Sequence, residues 1–395
     1  MNDSNSRGGQ ADPAMWKVAG AGALVGEAIA KLKPYEAGKP AEEVERELGV
    51  KNALKLASNE NAYGPPPAAL EAARQALAHL ELYPDAASYK LRLALSQRHE
   101  MPMNQVVVGN GSNELIGMIA RVFIGPGEHA LSSAGSFIAY RIAARSHGRD
   151  FVEAPLGSDF GFDVDALVAC ANEATRVVYV ANPNNPTGSY LRLEALRRLA
   201  SGLESKAGPK GPPILVLDEA YLEYVDEDEV GADARKSSIS IFETYPRTII
   251  LRTFSKAFGL AALRVGYALC RPDVADFLNR VRDPFNLNTV GQFAALAALG
   301  EATWVEATTR SIIAERKRVA DALRRLELQP LPSQCNFLLV DVARDAKALN
   351  DQLMRRGVIA RPMGPAGLPR HLRITIGRPE DNDRMLAALE GALAS

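Results

Sequence analysis

Short, almost wholly apolar runs alternate with helix-like segments along the middle of this 395-residue chain. Such runs are typical of strands that are buried on both faces, and their alternation with helices predicts an α/β fold with a mostly parallel sheet between helices. The predicted strands are VVVGN at 106–110, RVVYVANP at 176–183, ILVLDEAY at 214–221, TIILRTFS at 248–255 and VGYALC at 265–270. The first of these strands is followed directly by a predicted helix, SNELIGMIARVF at 112–123. Function is expected on the loops beyond the carboxyl ends of these strands.

The carboxyl-terminal part of the chain predicts a smaller α+β unit. Its predicted elements, after a helix at 271–285 that closes the larger unit, are helices at 289–300 and about 303–326, FLLVDV at 337–342, a helix near 345–356, VIARPM at 358–363 and LRITIG at 372–377. We therefore expect a disordered tail at 1–14, a large domain at 56–288 and a small domain at 289–395. The segment 15–55 is too short for a core of its own and is expected to pack on the small domain.

Charge and composition exclude several functional classes. The formal net charge is −1, so no basic field points to nucleic acid or to an anionic membrane. No apolar run approaches the roughly 20 residues of a membrane span, and the amino terminus lacks the pattern of a secretory signal. The three cysteines lie far apart in apolar runs, and the five histidines form no metal-binding pattern. We expect a cytoplasmic protein without a metal site.

Polar motifs stand where three of the predicted strands end. Ser112 and the amides beside it could bind an anion at a helix start, although a plain capped connection is the commoner explanation of such a turn. In NPNNPTG at 182–188 the prolines fix a loop that presents the amide of Asn185. Asp218 ends an apolar strand close to Tyr221, and a buried carboxylate requires a cation, such as a protonated pyridine nitrogen, or hydrogen-bond donors. A nucleotide–metal site is excluded because the chain has no phosphate-binding loop.

The stretch LRTFSKAFGLAALRVGY at 251–267 places Lys256 in a nearly apolar context. A buried lysine ammonium without a partner is costly or loses its proton, and the neutral amine is a nucleophile toward the aldehyde of pyridoxal 5'-phosphate. Ser255 and Arg264 are suited to holding a phosphate beside that amine. Taken alone, the motif is explained as well by a solvated lysine in a surface loop.

Together these motifs resemble a known family. NPNNPTG, DEAY, SKAFGLAALRVGY and LRITIG occur in the order found in fold-type I pyridoxal-phosphate aminotransferases. The motifs most similar to the histidinol-phosphate aminotransferase branch are KPYEAGKP at 33–40, KLASNENAYGPPP at 55–67, LYPD at 82–85, PFNLN at 284–288 and NFLLVDV at 336–342. The resemblance implies a homodimer that binds pyridoxal 5'-phosphate in its large domain. It also implies a step of histidine biosynthesis, in which L-histidinol phosphate and 2-oxoglutarate become imidazole-acetol phosphate and L-glutamate.

The resemblance further implies a role for each residue of the motifs. Lys256 would hold the cofactor covalently and move the proton, and Asp218 would pair with the pyridinium nitrogen. Asn185 and Tyr221 would hydrogen-bond the 3′ oxygen of the cofactor, and Phe137 would stack on its ring. The phosphate would be bound by Gly111, Ser112, Asn113, Ser255, Arg264 and Tyr63, of which Tyr63 would come from the neighbouring subunit. The substrate would be bound by Arg373, Arg361, Tyr35 and Asn185. A surface charge at a strand end explains Arg361 equally well.

Two positions depart from the family pattern, with Ala62 where proline is common and Ala262 where glycine is common.

An aromatic amino-acid aminotransferase is the first alternative function on this scaffold, because imidazole and phenyl rings need similar flat pockets. A threonine-phosphate decarboxylase shares the same motifs. A transcription regulator that binds the same cofactor would need an added DNA-binding domain, for which the tail before the resemblance is too short.

Overall fold

The computed structural model describes residues 24–32, 38–232, 234 and 237–394. The predicted tail at 1–14 and the candidate substrate residue Tyr35 lie outside these ranges. None of the helices in the described part of the chain is long and apolar enough to cross a membrane.

Strands occur throughout the described residues. They are β1 (Leu54–Lys55), β2 (Val106–Asn110), β3 (His129–Ser133), β4 (Asp150–Ala154), β5 (Thr175–Ala181), β6 (Ile214–Asp218), β7 (Thr248–Thr253), β8 (Val265–Leu269), β9 (Gln329–Pro330), β10 (Phe337–Asp341), β11 (Val358–Ile359), β12 (Arg361–Met363) and β13 (Leu368–Thr375).

Helices flank these strands. They are α1 (Glu27–Ala30), α2 (Ala41–Leu48), α3 (Pro67–Ala76), α4 (Tyr89–Arg98), α5 (Ser112–Phe123), α6 (Ala139–Ser146), α7 (Val164–Cys170), α8 (Leu193–Glu204), α9 (Glu227–Val230), α10 (Ser237–Thr244), α11 (Pro272–Val281), α12 (Thr289–Leu299), α13 (Ala302–Arg325), α14 (Ala346–Arg355) and α15 (Pro379–Leu393).

Seven strands form the central sheet, in the order β2-β8-β7-β6-β5-β3-β4. Strand β8 is antiparallel to both of its neighbours, and the other pairs are parallel. Side chains of α5, α6 and α11 pack on one face and those of α7, α8 and α10 on the other, so both faces are buried. The predicted α/β fold class is confirmed. Strands β3 and β4 are additional to the predicted ones, because the sequences HALSS and DFVEA are too polar to stand out as buried runs.

The parallel strands β5, β6 and β7 end at one edge of this sheet. Ala181 is the register partner of Asp218, which in turn lies opposite Leu251. Each of these strands is shorter than predicted, since the chain turns away at Asn182, Glu219 and Phe254. The residues of the NNPTG, DEAY and SKAFG motifs therefore lie in loops beside one another, as the rule for carboxyl ends of parallel strands predicts.

The smaller unit is built on an antiparallel sheet in the order β12-β13-β10-β9. The stretch VIARPM, predicted as one strand, is divided between two sheets. Val358 and Ile359 pair with β1, whereas Arg361 pairs with Arg373 on β13. The break falls at Ala360, whose amide donates to the side chain of Asn350 at 3.0 Å instead of joining a ladder.

The amino-terminal segment contacts both units. Strand β1 pairs with β11, and Val44 of α2 packs against Ile359, whereas α1 lies on α6 of the larger unit. Helix α12 packs against α3 and α4 of the larger unit, although the predicted domain boundary at 288/289 assigns it to the small domain. The division of the chain into domains stays a prediction.

Candidate active site

A cavity of about 730 Å³ opens between the carboxyl edge of the central sheet and the smaller unit. Its walls contain most of the predicted site residues, namely Ser112, Asn113, Phe137, Asn185, Asp218, Tyr221, Ser255, Lys256, Arg264, Arg361 and Arg373. Gly111 lies directly beside this wall, at the start of α5. Tyr63 is half-buried and lies under the guanidinium of Arg378, 5.4 Å from its carbon Cζ to the ring centre.

Asp218 is the buried carboxylate at the floor of the cavity. Its Oδ2 accepts a hydrogen bond from the Tyr140 hydroxyl at 2.9 Å, and its Oδ1 accepts from the amide of Ala220 at 3.2 Å. Burial raises the pKa of Asp218 to about 6, although these two hydrogen bonds and the charge of Lys256 act to lower it. A cation placed against this carboxylate would favour its ionised form.

Tyr140 is a site residue that the sequence analysis missed. It is fully buried and stacks on Tyr179 with a centroid distance of 4.6 Å, and Phe137 meets its ring edge-on at 5.7 Å. The stacking fixes the ring that donates to Asp218. The residue lies three positions after the predicted site residue Phe137, but no sequence signal connects it with a carboxylate 78 positions away.

Lys256 projects its amine from the loop after β7. The Nζ atom donates to the carbonyl oxygens of Ser58 and Asn59 at 3.2 and 3.3 Å. Burial, assisted by the positive charges of Arg373 and Arg264, lowers the pKa of Lys256 to about 8. A minority of this amine is therefore neutral near physiological pH, but far more than for an ordinary lysine, and this neutral form can act as a nucleophile or a base. The solvated-loop interpretation of Lys256 is wrong, because its amine lies within the cavity.

The start of α5 and Arg264 form a cradle for an anion. Gly111 has φ 78°, and a Cβ atom there would lie 2.6 Å from Nη2 of Arg264. A Cβ atom on Gly266 would lie 2.3 Å from the amide nitrogen of Ser112, so β8 passes directly under the helix start. The guanidinium of Arg264 also donates to the Ser255 hydroxyl at 3.5 Å. Helix amides, a hydroxyl and a guanidinium thus converge as a phosphate site requires.

Two further arginines come from the smaller unit. Arg361 and Arg373 are register partners on β12 and β13. Arg373 donates to Oδ1 of Asn185 at 2.6 Å and to the carbonyl of Ala57 at 2.8 Å, and its guanidinium lies 5.3 Å from the ring centre of Phe337. These contacts bring the substrate-binding candidates Arg373 and Asn185 together at one wall.

The cavity is strongly cationic although the chain as a whole carries a net charge of −1. Its basic lining residues are Lys31, Arg141, Arg145, Lys256, Arg264, Arg361 and Arg373. Asp218 is the acidic residue among the lining side chains of the described chain. Such a field concentrates anionic ligands and favours their binding over that of neutral ones.

The fold and this site define a class of protein, the fold-type I enzymes that work with pyridoxal 5'-phosphate. The sequence model of the family described as aminotransferase class I and II matches residues 51–389. This chain belongs to that family.

Relatives of known name agree with this placement. A histidinol-phosphate aminotransferase of an Anaeromyxobacter species is 47% identical over 367 residues, covering 93% of this chain and 98% of the relative. The histidinol-phosphate aminotransferase 2 of Pseudomonas aeruginosa is 42% identical over 94% of this chain and 98% of its own length. Among solved structures, the histidinol-phosphate aminotransferase of Sinorhizobium meliloti in complex with pyridoxal 5'-phosphate has a TM-score of 0.83 and 32% identity, covering 94% of this chain and 97% of that one.

The residues of the cavity fit the family's cofactor. A Cβ atom at Gly111 would collide with the Arg264 guanidinium, so the helix amides and this cation lie close enough together to bind one phosphate. The carboxyl group of Asp218 is buried and suited to a cationic ring nitrogen, and Lys256 supplies an amine with a lowered pKa. The prediction of an aminotransferase that depends on pyridoxal 5'-phosphate is confirmed.

Proposed function

We propose that this chain is a histidinol-phosphate aminotransferase, which exchanges amino groups between L-histidinol phosphate and 2-oxoglutarate. The observation that carries the proposal is the paired placement of Arg361 and Arg373 in a cavity that already has Arg264 for the cofactor phosphate. One substrate presents a phosphate ester and the other presents carboxylates, and guanidinium groups bind both kinds of anion. The names of the relatives at 47% and 42% identity support the same substrate.

The cofactor would be held by residues of the larger unit. The helix start at Gly111, Ser112 and Asn113 would bind its phosphate together with Ser255 and Arg264. Phe137 would stack on the ring and Asp218 would face its nitrogen, while Asn185 and Tyr221 would hydrogen-bond the 3′ oxygen. Pyridoxal 5'-phosphate, when bound, supplies an electron-withdrawing ring that stabilises negative charge on the substrate α-carbon and carries the amino group.

The proton transfers would be performed by Lys256. Its Nζ atom, with a pKa lowered to about 8, would take the proton from the substrate α-carbon and deliver it to the 4′ carbon of the cofactor. The carbonyls of Ser58 and Asn59 hold the amine at the cavity wall. Asp218 acts at a distance from this step, because its negative charge keeps the ring nitrogen protonated.

A homodimer is the proposed assembly, and the cytoplasm the proposed location. Apolar side chains are exposed on α3, α4, α12 and the loops that adjoin them, namely Leu70, Leu77, Leu80, Leu82, Tyr83, Tyr89, Leu93, Phe285 and Phe293. Tyr83 and Phe285 stack on each other at 4.6 Å on this face. An exposed apolar area of this extent is typical of a protein contact. The loop that contains Tyr63 leads directly into α3, so Tyr63 lies near the proposed contact, as a role in the neighbour's cavity requires.

The substrate assignment is tested by single-turnover half-reactions. The purified holoenzyme is mixed with L-histidinol phosphate, L-phenylalanine, L-tyrosine or L-glutamate, and the absorbance of the bound cofactor is followed. We expect kcat/KM to be higher for L-histidinol phosphate than for L-phenylalanine or L-tyrosine. The reverse order would replace the proposal by an aromatic amino-acid aminotransferase.

Variants of the paired arginines sharpen the same test. Arg361→Ala should lower kcat/KM for L-histidinol phosphate by about 30-fold or more, the equivalent of roughly 2 kcal/mol, with a smaller effect on L-glutamate. Arg373→Lys should weaken both substrates, because lysine lacks the bidentate fork. An Arg361→Ala variant with unchanged histidinol phosphate kinetics would show that Arg361 does not contact the phosphate.

A further inference from the structure

Asn59 lies at the centre of a buried hydrogen-bond network that connects the two units. It has a left-handed backbone with φ 57°, which asparagine tolerates better than most residues. Its side-chain Nδ2 donates to the Tyr221 hydroxyl at 2.9 Å, and its carbonyl accepts from Lys256 at 3.3 Å. None of the roles discussed so far involves this side chain.

Thr375 determines which way the amide of Asn59 faces. The Thr375 hydroxyl accepts from the backbone amide of Asn59 at 3.0 Å and donates to its Oδ1 at 3.1 Å. The hydroxyl uses its proton for Oδ1 and a lone pair for the backbone amide, so both of its roles are filled by Asn59. In this arrangement the oxygen of the Asn59 side chain faces Thr375, and its NH₂ group faces Tyr221.

The orientation of the Asn59 side-chain amide determines the role of Tyr221 in the hydrogen bond between them. An amide NH₂ group is a donor only, so the Tyr221 oxygen must act as the acceptor of the bond with Asn59. The Tyr221 proton is then available for a different acceptor, and the residue lines the cavity. Burial raises the pKa of the Tyr221 phenol, and the hydrogen bond from Asn59 acts against this rise. The phenol therefore keeps its proton, which it can donate toward a negatively charged oxygen.

We propose that Asn59 is a positioning residue that directs the Tyr221 proton into the active-site cavity, and that Thr375 fixes Asn59 in the required orientation. Arg373 lies two residues before Thr375 on β13, so both side chains leave the same face of that strand. The strand that carries a substrate-binding candidate therefore also sets the direction of a hydrogen bond to the cofactor. The proposal rests on the aminotransferase family and not on the choice of amino donor.

The readout is the pH titration of cofactor absorbance in the holoenzyme without substrate. A donor to the 3′ oxygen stabilises the deprotonated form of the bound cofactor, so loss of that donor moves the titration midpoint to higher pH. Tyr221→Phe removes the donor and gives the reference shift. Asn59→Gly removes the amide but keeps a backbone that accepts a positive φ, and it should shift the midpoint in the same direction by about half a pH unit or more.

Non-additivity separates this role from a general structural effect. In the double variant Asn59→Gly with Tyr221→Phe, the midpoint should equal that of Tyr221→Phe alone, because Asn59 acts through the Tyr221 hydroxyl. An Asn59→Gly shift that persists undiminished in the Tyr221→Phe background would overturn the proposal. An unchanged midpoint in Asn59→Gly would overturn it as well.

Thr375 supplies a matched pair of variants that leaves the loop at Asn59 intact. Thr375→Val removes the hydroxyl at nearly constant volume and should raise the midpoint, whereas Thr375→Ser retains the hydroxyl and should keep the wild-type value. Equal midpoints in the two variants would contradict the role of Thr375, even if Asn59→Gly failed to fold. Since no substrate is present, a wrong substrate assignment would leave all of these outcomes unaffected.

Discussion

At Asp218, burial and hydrogen bonding act in opposite directions on one carboxyl group. Burial raises its pKa to about 6, while Tyr140, the Ala220 amide and Lys256 favour the ionised form. In the unfolded chain an aspartate titrates near 3.8. At this group the folded apoprotein therefore binds more protons than the unfolded chain between these two pH values, so the contribution of Asp218 to stability falls as the pH rises through that window.

The direction of this pH dependence gives a measurable prediction for the apoprotein. Between about pH 4 and pH 6, the contribution of Asp218 to the free energy of unfolding should fall by about 3 kcal/mol. Denaturant unfolding of wild type and Asp218→Asn at several pH values checks it, because the variant should lack this contribution. Tyr140→Phe should extend the fall to higher pH, since it removes a bond that favours the ionised carboxylate. Parallel stability curves for wild type and Asp218→Asn would contradict the assigned pKa.

The covalent role of Lys256 is tested by its removal. Lys256→Ala should lower turnover by several orders of magnitude, because it removes both the nucleophile and the base. Borohydride reduction followed by mass spectrometry should find cofactor attached to the wild-type protein and none attached to the variant. Turnover close to that of wild type would show that another group moves the proton.

Residues that follow buried strands were predictable, whereas their partners were not. Lys256 and Asp218 stand in motifs where an apolar strand ends in a charge, which is a local signal. Asn59 and Tyr140 act through contacts with Thr375 and Asp218 that no local pattern connects. Asn59 lies in the motif KLASNENAYGPPP, yet its partner Thr375 is 316 residues away.

At the scale of elements, the start of α5 requires a glycine at position 111, because a side chain there would collide with Arg264. Gly111 combines a positive φ with a tight contact, since a Cβ atom there would lie 2.6 Å from Nη2 of Arg264. Helix and strand identities here followed from the sequence, since 106–110 and 112–123 were predicted with the bounds that β2 and α5 have. The division of VIARPM was not predictable, because it depends on the tertiary contact between Ala360 and Asn350.

A glycine pair tests the cradle within one helix. Gly111→Ala should weaken cofactor affinity by about tenfold or more, because the added Cβ displaces the Arg264 guanidinium and strains the backbone. Gly117→Ala is the matched control in the middle of α5, where a Cβ atom would have nothing within 4 Å. It should leave affinity unchanged and stabilise the helix slightly. Fluorescence titration of the apoproteins measures both, and equal affinities would contradict the cradle.

At the scale of the whole molecule, the exposed apolar face predicts the assembly. Phe293→Glu should convert the dimer to a monomer in sedimentation equilibrium, because it places a charge in the proposed contact. Leu48→Glu on α2 is the control, since Leu48 is also an exposed apolar residue but lies away from that face. A Phe293→Glu protein that remains dimeric would place the contact elsewhere.

Mixed dimers test whether Tyr63 serves its neighbour. We expect Lys256→Ala and Tyr63→Phe each to be impaired, whereas a mixed dimer would contain one cavity with Lys256 from one chain and Tyr63 from the other. Refolding the two variants together should therefore restore part of the activity, measured with L-histidinol phosphate and 2-oxoglutarate. If the activity of the refolded mixture does not exceed the sum of the activities of the two separate variants, Tyr63 acts in its own subunit.

The pairing of β1 with β11 also bears on the order in which the protein is made. Leu54 and Lys55 leave the ribosome long before their partners Val358 and Ile359, and Asn59 leaves it 316 residues before the Thr375 that binds it. The loop at Asn59 can take its final form only when β11 and β13 have emerged. A nascent chain stalled before β11 would contain Lys256 without the contacts that complete its surroundings, so competence for catalysis arises only after these two strands are made.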